Sequence, residues 1–465
     1  LPLVASVDQA EGLFQNAATF MAAGKYEEGL KDYLAITQDF PQSPYAPRAL
    51  LAMGQHYQQE GKDLAKAMAL FQSIVTEFPQ ADVAPMAYFL RTKIQAREAA
   101  TFEDLGQSAN ELQRMLALYP NHSLEGDARF LLGMISFQLE QPSEAERSFV
   151  QVALHHRDLF YEQSGPYYLA LMAFFKGDKD RSLQLLSDWQ SHLHHPATLQ
   201  NSRHLAYWIY RTRGNPSTCS AAAGFDYAQA KSLKRPWDGV DFFGVMVLLD
   251  QNGKQFSGPE SALGTMVRWP GEVTMVSRNA LGPVLAASES RVHVCPDLST
   301  MNSFSPSAGK IVSLDADGLN RLFLVAGDDR QVHVFRKDGE LLQKIGPMKA
   351  AKIRCSRNQP VILDQKEQDL LIFSSDLSQS RKLISLPKIT DFAFDVLGNM
   401  AVAYNKGESF AIYDHRMRPM VEMPGLGPSL SLKGVDVVFW TREGHLVLAD
   451  RRNGMAQKVL WEVKE

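Results

Sequence analysis

The feature that most restricts this chain is a repeat of small and bulky residues running through its first half. Gly29 and Tyr33, Ala67 and Phe71, Ser108 and Leu112, Ala145 and Phe149, and Ser182 and Leu186 each stand four apart. Successive small residues are separated by 38, 41, 37 and 37 positions. A spacing of four puts both members of a pair on one helix face. A second series, Ala17, Gly54, Ala96, Gly133 and Ala170, lies 12 or 13 residues upstream, where a small side chain lets two helices approach closely. Turn segments such as Gly24-Lys25 and Gly61-Lys62-Asp63 fall between the two series. Phe40-Pro41, Phe78-Pro79 and Tyr119-Pro120 close three units, because proline disfavours helical geometry in the residue before it. Each unit is therefore a helical hairpin, and hairpins of this kind bury their apolar faces by stacking. The fourth and fifth units lack the aromatic-proline ending. A sixth hairpin is expected from one helix over 203–213 and a weak second over 221–233.

The order small, aromatic, turn, small, aromatic, proline resembles the tetratricopeptide repeat, over about 190 residues and with a slightly longer period. The strings Gly24-Lys25-Tyr26-Glu27-Glu28-Gly29-Leu30 and Asp39-Phe40-Pro41-Gln42-Ser43 are similar to one subclass. It occurs in bacterial envelope proteins, among them outer-membrane assembly lipoproteins and coordinators of the Tol system. The resemblance implies a solenoid whose first helices line a concave groove that holds an extended peptide or a partner helix. The groove positions not used for packing are then Gln55, Gln58 and Gln59 in the second hairpin and Arg91 and Gln95 in the third. The alternative is a solenoid that only spaces two other parts.

After Gly214-Asn215-Pro216 the helical period fades, and from Gly239 onward apolar residues alternate or form short blocks bounded by Gly, Asn and Asp. Gly239-Val240-Asp241 leads to Asp250-Gln251-Asn252-Gly253, and Gly434-Val435-Asp436 leads in the same order to Asp450-Arg451-Arg452-Asn453-Gly454. Similar openings occur near Val273, Ile311, Ile353 and Ile389. Six openings about 40 residues apart, each with three or four short strands, indicate a β-propeller of six blades, with five or seven as alternatives. The run from Leu314-Asp315-Ala316-Asp317-Gly318 through Leu322–Ala326 to Asp338-Gly339 resembles NHL-family propeller units. The unit from Ile353 to Leu386 carries Asn358-Gln359-Pro360 where the glycine turn belongs. The expected organisation is a solenoid over 1–214, a linker or docking segment over 215–238 that includes Lys231, Lys234, Arg235, Pro236 and Trp237, and a propeller over 239–465.

Composition bounds the function. The 465 residues include 48 basic and 52 acidic side chains, net −4, which argues against a dedicated nucleic-acid binder. The first 220 residues carry 18 basic and 24 acidic residues, a small bias toward a basic partner. The longest apolar runs, Tyr167 to Phe175 and Phe242 to Leu249, are far below the roughly 20 residues a bilayer span needs. The chain starts at Leu1, as expected of a processed exported chain and not of a mature lipoprotein with its lipid-bearing cysteine. Cys219, Cys295 and Cys355 form no CxxC pair and imply neither a zinc site nor a disulfide framework.

Chemistry-bearing patterns are sparse. His155, His156, His192, His194, His195 and His204 cluster in sequence, but His192 and His195 are followed by Pro196 and have no third ligand at a suitable spacing. Asp315, Asp317, Asp328 and Asp329 lack EF-hand spacing. There is no G-x-S-x-G, H-E-x-x-H or P-loop string. No metal, cofactor or catalytic residue is expected. The reading is a non-enzymatic protein-binding scaffold of a bacterial envelope machine, periplasmic or outer-membrane-associated. Two alternatives are a propeller hydrolase or lyase with a central-channel site, and carbohydrate binding through Trp269, Trp440 and Trp461.

Overall fold

The computed structural model describes the chain outside residues 1, 60–62, 191–195, 212–215, 226–235, 243–244, 251–254, 258–272, 279–283, 296–300, 329, 347, 365, 427–431, 442–445, 451–454 and 464–465. It divides into two compact units, Leu1–Gly165 and Pro166–Glu465.

The first unit is a stack of helices: α1 (Pro2–Ala22), α2 (Tyr26–Asp39), α3 (Tyr45–Gln59), α4 (Leu64–Glu77), α5 (Ala84–Glu98), α6 (Phe102–Leu118), α7 (Glu125–Gln138), α8 (Pro142–His155) and the short α9 (Arg157–Glu162). α1 packs on α2, α3 on α4, α5 on α6 and α7 on α8, and each pair packs on the next. The small and bulky series form the contact. A Cβ placed on Gly54 would lie 2.5 Å from the Phe71 ring, and one on Gly133 would lie 2.9 Å from Phe149. Phe40, Phe78 and Tyr119 cap their helices, each donating its N–H to the carbonyl four residues back, and the following prolines end the run. α6 opens with a capping box between Thr101 and Asp104.

The second unit begins with α10 (Gly165–Lys176), α11 (Lys179–Gln190) and α12 (Pro196–Arg211). The expected sixth hairpin is half correct. α12 starts at Pro196, where proline suits the first helical position, but among the described residues no partner helix follows. Residues 216–225, expected partly as linker and partly as helix, form strand β1 (Pro216–Phe225) instead. Thr218 and Ala221 pair with the C-terminal strand, and Ala222 and Ala223 lie at a break in the register. Residues 226–233 of that expected helix, and Lys231, Lys234 and Arg235, lie outside the described residues.

Six sheets follow. Blade 1 holds β2 (Pro236–Phe242), β3 (Val245–Asp250) and β4 (Gln255–Ser257). Blade 2 holds β5 (Met275–Arg278), β6 (Val284–Ala287), β7 (Val292–Cys295) and β8 (Asn302–Phe304). Blade 3 holds β9 (Ile311–Ala316), β10 (Leu322–Ala326), β11 (Gln331–Phe335) and β12 (Leu341–Ile345). Blade 4 holds β13 (Ala350–Ser356), β14 (Gln359–Asp364), β15 (Asp369–Phe373) and β16 (Ser380–Ser385). Blade 5 holds β17 (Asp391–Phe394), β18 (Met400–Tyr404), β19 (Ser409–Tyr413) and β20 (Pro419–Met423). Blade 6 holds β21 (Val437–Trp440), β22 (Leu446–Asp450), β23 (Met455–Val463) and, as its fourth strand, β1. The first strands of successive blades are neighbours, and β21 lies beside β2, so the ring is closed. β1 pairs antiparallel with β23, Pro216 opposite Val463 and Phe225 opposite Ala456. The missing glycine of blade 4 is accommodated because Arg357 takes the left-handed conformation, φ 56°, and the β13–β14 hairpin pairs normally.

Buried carboxylates stitch the inner strands. Asp315 on β9 accepts hydrogen bonds from Ser277 Oγ on β5 at 2.9 Å and from the Cys355 N–H on β13 at 2.6 Å. Asp391 on β17 accepts from Val438 N–H on β21 at 2.9 Å and pairs with Lys352 on β13 at 2.6 Å.

Candidate partner-binding surface

In the first unit the first helices pack against the second helices, and α5 also has an exposed face. On α5 the closed face is fixed by contacts. Tyr88 donates to Glu111 on α6 at 2.5 Å, and the Arg91 guanidinium lies over the Tyr88 ring, 4.6 Å from its centre. Arg91 also pairs with Glu111 at 2.5 Å and reaches Gln72 on α4. Thr92 is fully buried. At 100° per residue, Gln95 falls on the same side as Tyr88, Arg91 and Thr92. The structure therefore moves Arg91 and Gln95 off the open face. Arg91 ties α4, α5 and α6 together with only 12% of its side chain exposed. Burial, then Glu111, pushes the Tyr88 hydroxyl up to about 12, so it stays a donor.

The opposite side of α5 presents Lys93 and Arg97, both exposed. On α3, Ala46, Ala49 and Met53 are buried, which leaves Gln55, Gln58 and Gln59 on the other side, half-buried, half-buried and exposed. Lys93 and Arg97 were not singled out by the sequence reading. The signal that could have found them was Tyr88 and Thr92, a large and a β-branched residue four apart, which mark the closed face.

Several turns of the second unit are built on buried aspartates. Asp317 accepts from the N–H groups of Leu319 and Arg321 and pairs with the Arg321 guanidinium at 2.6 Å. Asp395 accepts from Leu397 and Asn399 in the same pattern. Asp414 does so from Arg416 and Arg418. Burial pushes the Asp315 carboxyl up to about 6, against the pull of Arg354 and its N–H donors. These carboxylates therefore brace their own turns and seams.

Helices α10 and α12 pack on these turns. His204 Nε2 lies 2.8 Å from Asp395 Oδ2, each side chain 2% exposed. His415 packs against Phe174 and Phe175, ring centres 5.2 Å away in each case. Arg357 lies 3.8 Å from the centre of the Phe175 ring, and Arg416 donates to the Phe175 carbonyl at 2.7 Å. Neither ring nitrogen of His415 has a hydrogen-bond partner among the described residues. Burial pushes this histidine down to about 4, with Asp414 opposing and Arg357 and Arg416 assisting.

The remaining sequence candidates separate in space. His155 is exposed and His156 half-buried against Gly126. His192, His194 and His195 lie outside the described residues, as do Asp329 and Trp269. Trp440 is held against Trp208 and donates to the Ala393 carbonyl at 3.4 Å. Cys295 and Cys355 are buried free thiols. Among the described residues, no group of three or more His, Cys, Asp or Glu side chains is placed to hold a metal ion, and no helix is long and apolar enough to cross a membrane.

Residues 7–141, which span α1 to α7, match the family model described as YfiO, outer membrane lipoprotein. The helical repeats are of the tetratricopeptide type. The chain thus carries a tetratricopeptide-type helical unit and a propeller. Among solved structures, a tetratricopeptide repeat protein from Parabacteroides merdae is similar at 17% identity and a TM-score of 0.35, covering 44% of this chain and 74% of that one. A gluconolactonase from Xanthomonas campestris is similar at 10% identity and a TM-score of 0.40, covering 53% and 98%. A streptogramin B lyase is similar at 8% identity and a TM-score of 0.34, covering 52% and 97%. No curated protein matches the chain.

Proposed function

We propose that this protein is a non-enzymatic scaffold of a bacterial envelope machine, holding a partner polypeptide on the open face of its first helices. The observation that carries the reading is the match of residues 7–141 to an outer membrane lipoprotein family. The propeller contributes support of a different kind. Its carboxylates at Asp317, Asp395 and Asp414 are engaged by their own turns, not directed together at an open space as acid–base catalysis needs. We read blades 3 and 5 as NHL-like because the Asp317 and Asp395 turns share one hydrogen-bond pattern.

The test is cross-linking and co-purification of the full chain from its native cell, with envelope fractionation alongside. The expected result is a partner recovered with the envelope fraction and lost when Gln55, Gln58 and Gln59 are replaced together by Glu. A complex indifferent to these changes but abolished by changes on the propeller would sink the reading. Turnover of a small molecule, lost on substituting propeller acids, would replace it with the hydrolase or lyase alternative.

A further inference from the structure

Successive strands of each blade are antiparallel. The loops leading from one blade's outer strand to the next blade's inner strand therefore leave the ring at one end. The turns of Asp317, Asp395 and Asp414, on which α10 and α12 pack, leave at the other. The loops before β9, β13, β17 and β21 carry Lys310, Lys349, Lys388 and Lys433, all exposed. The first three stand 39 residues apart. Each lies three residues ahead of Ser313, Lys352 or Asp391, which pair with Val325, Leu363 and Ala403, the last-but-one residues of their second strands. These lysines thus sit at one height around the ring. Lys433 is one residue further from the matching position, Val437 opposite Ala449. The same four loops contain a single acid, Asp436. Their backbones are fixed. The carbonyls of Lys310 and Lys388 accept from Gly327 at 3.0 Å and from Lys406 at 3.1 Å, and the Lys433 N–H donates to buried Asp450 at 2.6 Å. Lys388 and Lys406 hold φ values of 50° and 59°, where glycine or asparagine fits with less strain, yet basic side chains stand there. Lys310 pairs with exposed Glu289. Among the described residues, Lys349, Lys388 and Lys433 have no ion-pair partner. The turns at the other end mix the signs, Asp317 with Arg321 and Asp414 with Arg418.

We propose that this end of the propeller docks on an anionic lipid bilayer, with the lysines of the connecting loops meeting phosphate headgroups. Cations set at one height on successive loops face a flat array of charge; they do not converge on one small anion. Lysine is a compact charge on a flexible stem, which suits headgroups that move. Each lysine near an anionic surface raises partitioning about fivefold. Single-stranded nucleic acid fits this end poorly, because it needs aromatic faces for its bases. The four loops and the hairpins joining second and third strands in blades 2 to 5 contain no Phe, Tyr or Trp. Among the described residues, the loops also expose no large apolar side chain, so the contact is electrostatic and does not insert into the acyl region. This goes beyond the scaffold reading and uses a different surface.

The experiment sediments the full chain with vesicles of two parts phosphatidylcholine to one part phosphatidylglycerol, and with vesicles of phosphatidylcholine alone. The mixed vesicles should retain the chain, the neutral ones should not, and raised salt should release it. Lys349→Gln with Lys388→Gln and Lys433→Gln should weaken partitioning about hundredfold. Arginine at the same three positions should keep it, which separates loss of charge from misfolding. Lys344→Gln with Arg381→Gln and Lys382→Gln, on the outer strands β12 and β16, removes equal charge and should change retention little. Equal retention on neutral vesicles, an unaffected loop variant, or an equal loss in the outer-strand variant overturns the inference. Capture of inorganic polyphosphate or single-stranded RNA through the same lysines, without vesicle binding, also overturns it and makes the ring a site for a soluble polyanion. The scaffold reading fails separately, because the replacements at Gln55, Gln58 and Gln59 that test it touch none of these loops.

Discussion

Arg91 shows how one side chain can look like a binding residue and act as a brace. Its guanidinium joins three helices through Glu111, Gln72 and the Tyr88 ring. Arg91→Glu would set two carboxylates against each other in a site largely closed to water. We expect a loss of about 1–3 kcal/mol, as for a hydrogen-bonded charge deprived of its partner, read as a lower midpoint in urea unfolding. Lys93→Glu, two residues away, should change stability by under roughly 0.5 kcal/mol. The helical period separates the two faces of α5 in the sequence. It does not say which face meets Glu111, because that contact joins residues 20 apart. His415 carries a second prediction. Its ring is held neutral, down to about 4 from an ordinary 6.5, so the folded chain binds fewer protons than the unfolded one. The contribution is fully present above about pH 6.5 and is lost as pH falls toward 4. It is at most about 1.4 kcal/mol per pH unit, and less here because part of the ring meets solvent. Unfolding midpoints measured across that window should fall with acidity, and His415→Phe should flatten the slope. An equal slope in both proteins would refute the assignment.

At the scale of elements, the closeness of paired helices depends on residues without side chains. Gly54→Ala forces a Cβ to within 2.5 Å of the Phe71 ring, and overpacking of this kind costs about 1–3 kcal/mol. Gly106 in α6 has nothing within 4 Å of its notional Cβ. Gly106→Ala should therefore stabilise by about 0.4–1 kcal/mol through the unfolded chain. Opposite shifts in melting temperature for the two glycine-to-alanine variants are the expected outcome, and shifts of one sign would contradict this packing. The helices were legible because each is dictated by residues within one turn of one another. The same holds for Val273, Ile311, Ile353 and Ile389, each of which lies within three residues of the start of an inner strand or inside one. β1 was not legible. Its Ala221-Ala222-Ala223 reads as helix by propensity, and only a ladder with β23 overrides it.

For the whole molecule, the change of period near 214 marks where helices give way to strands. The compact units divide earlier, at Gly165, and α10 to α12 group with the sheets through His204–Asp395 and the aromatic contacts of His415. We expect residues 1–165 alone to fold cooperatively as a helical protein, with a circular dichroism spectrum free of strand signal. An unfolded 1–165 fragment would place the boundary elsewhere.

The pairing of β1 with β23 also sets an order of events during synthesis. Phe225 leaves the ribosome about 230 residues before its neighbours in β23 are made, a delay of about 12–46 seconds at 5–20 residues per second. Through that interval β1 lacks its ladder partner, and blade 6 cannot be completed until the codons for residues 455–463 have been read. A nascent chain stalled short of residue 455 should thus remain open to strand-binding chaperones, and one that has emerged past residue 463 should not.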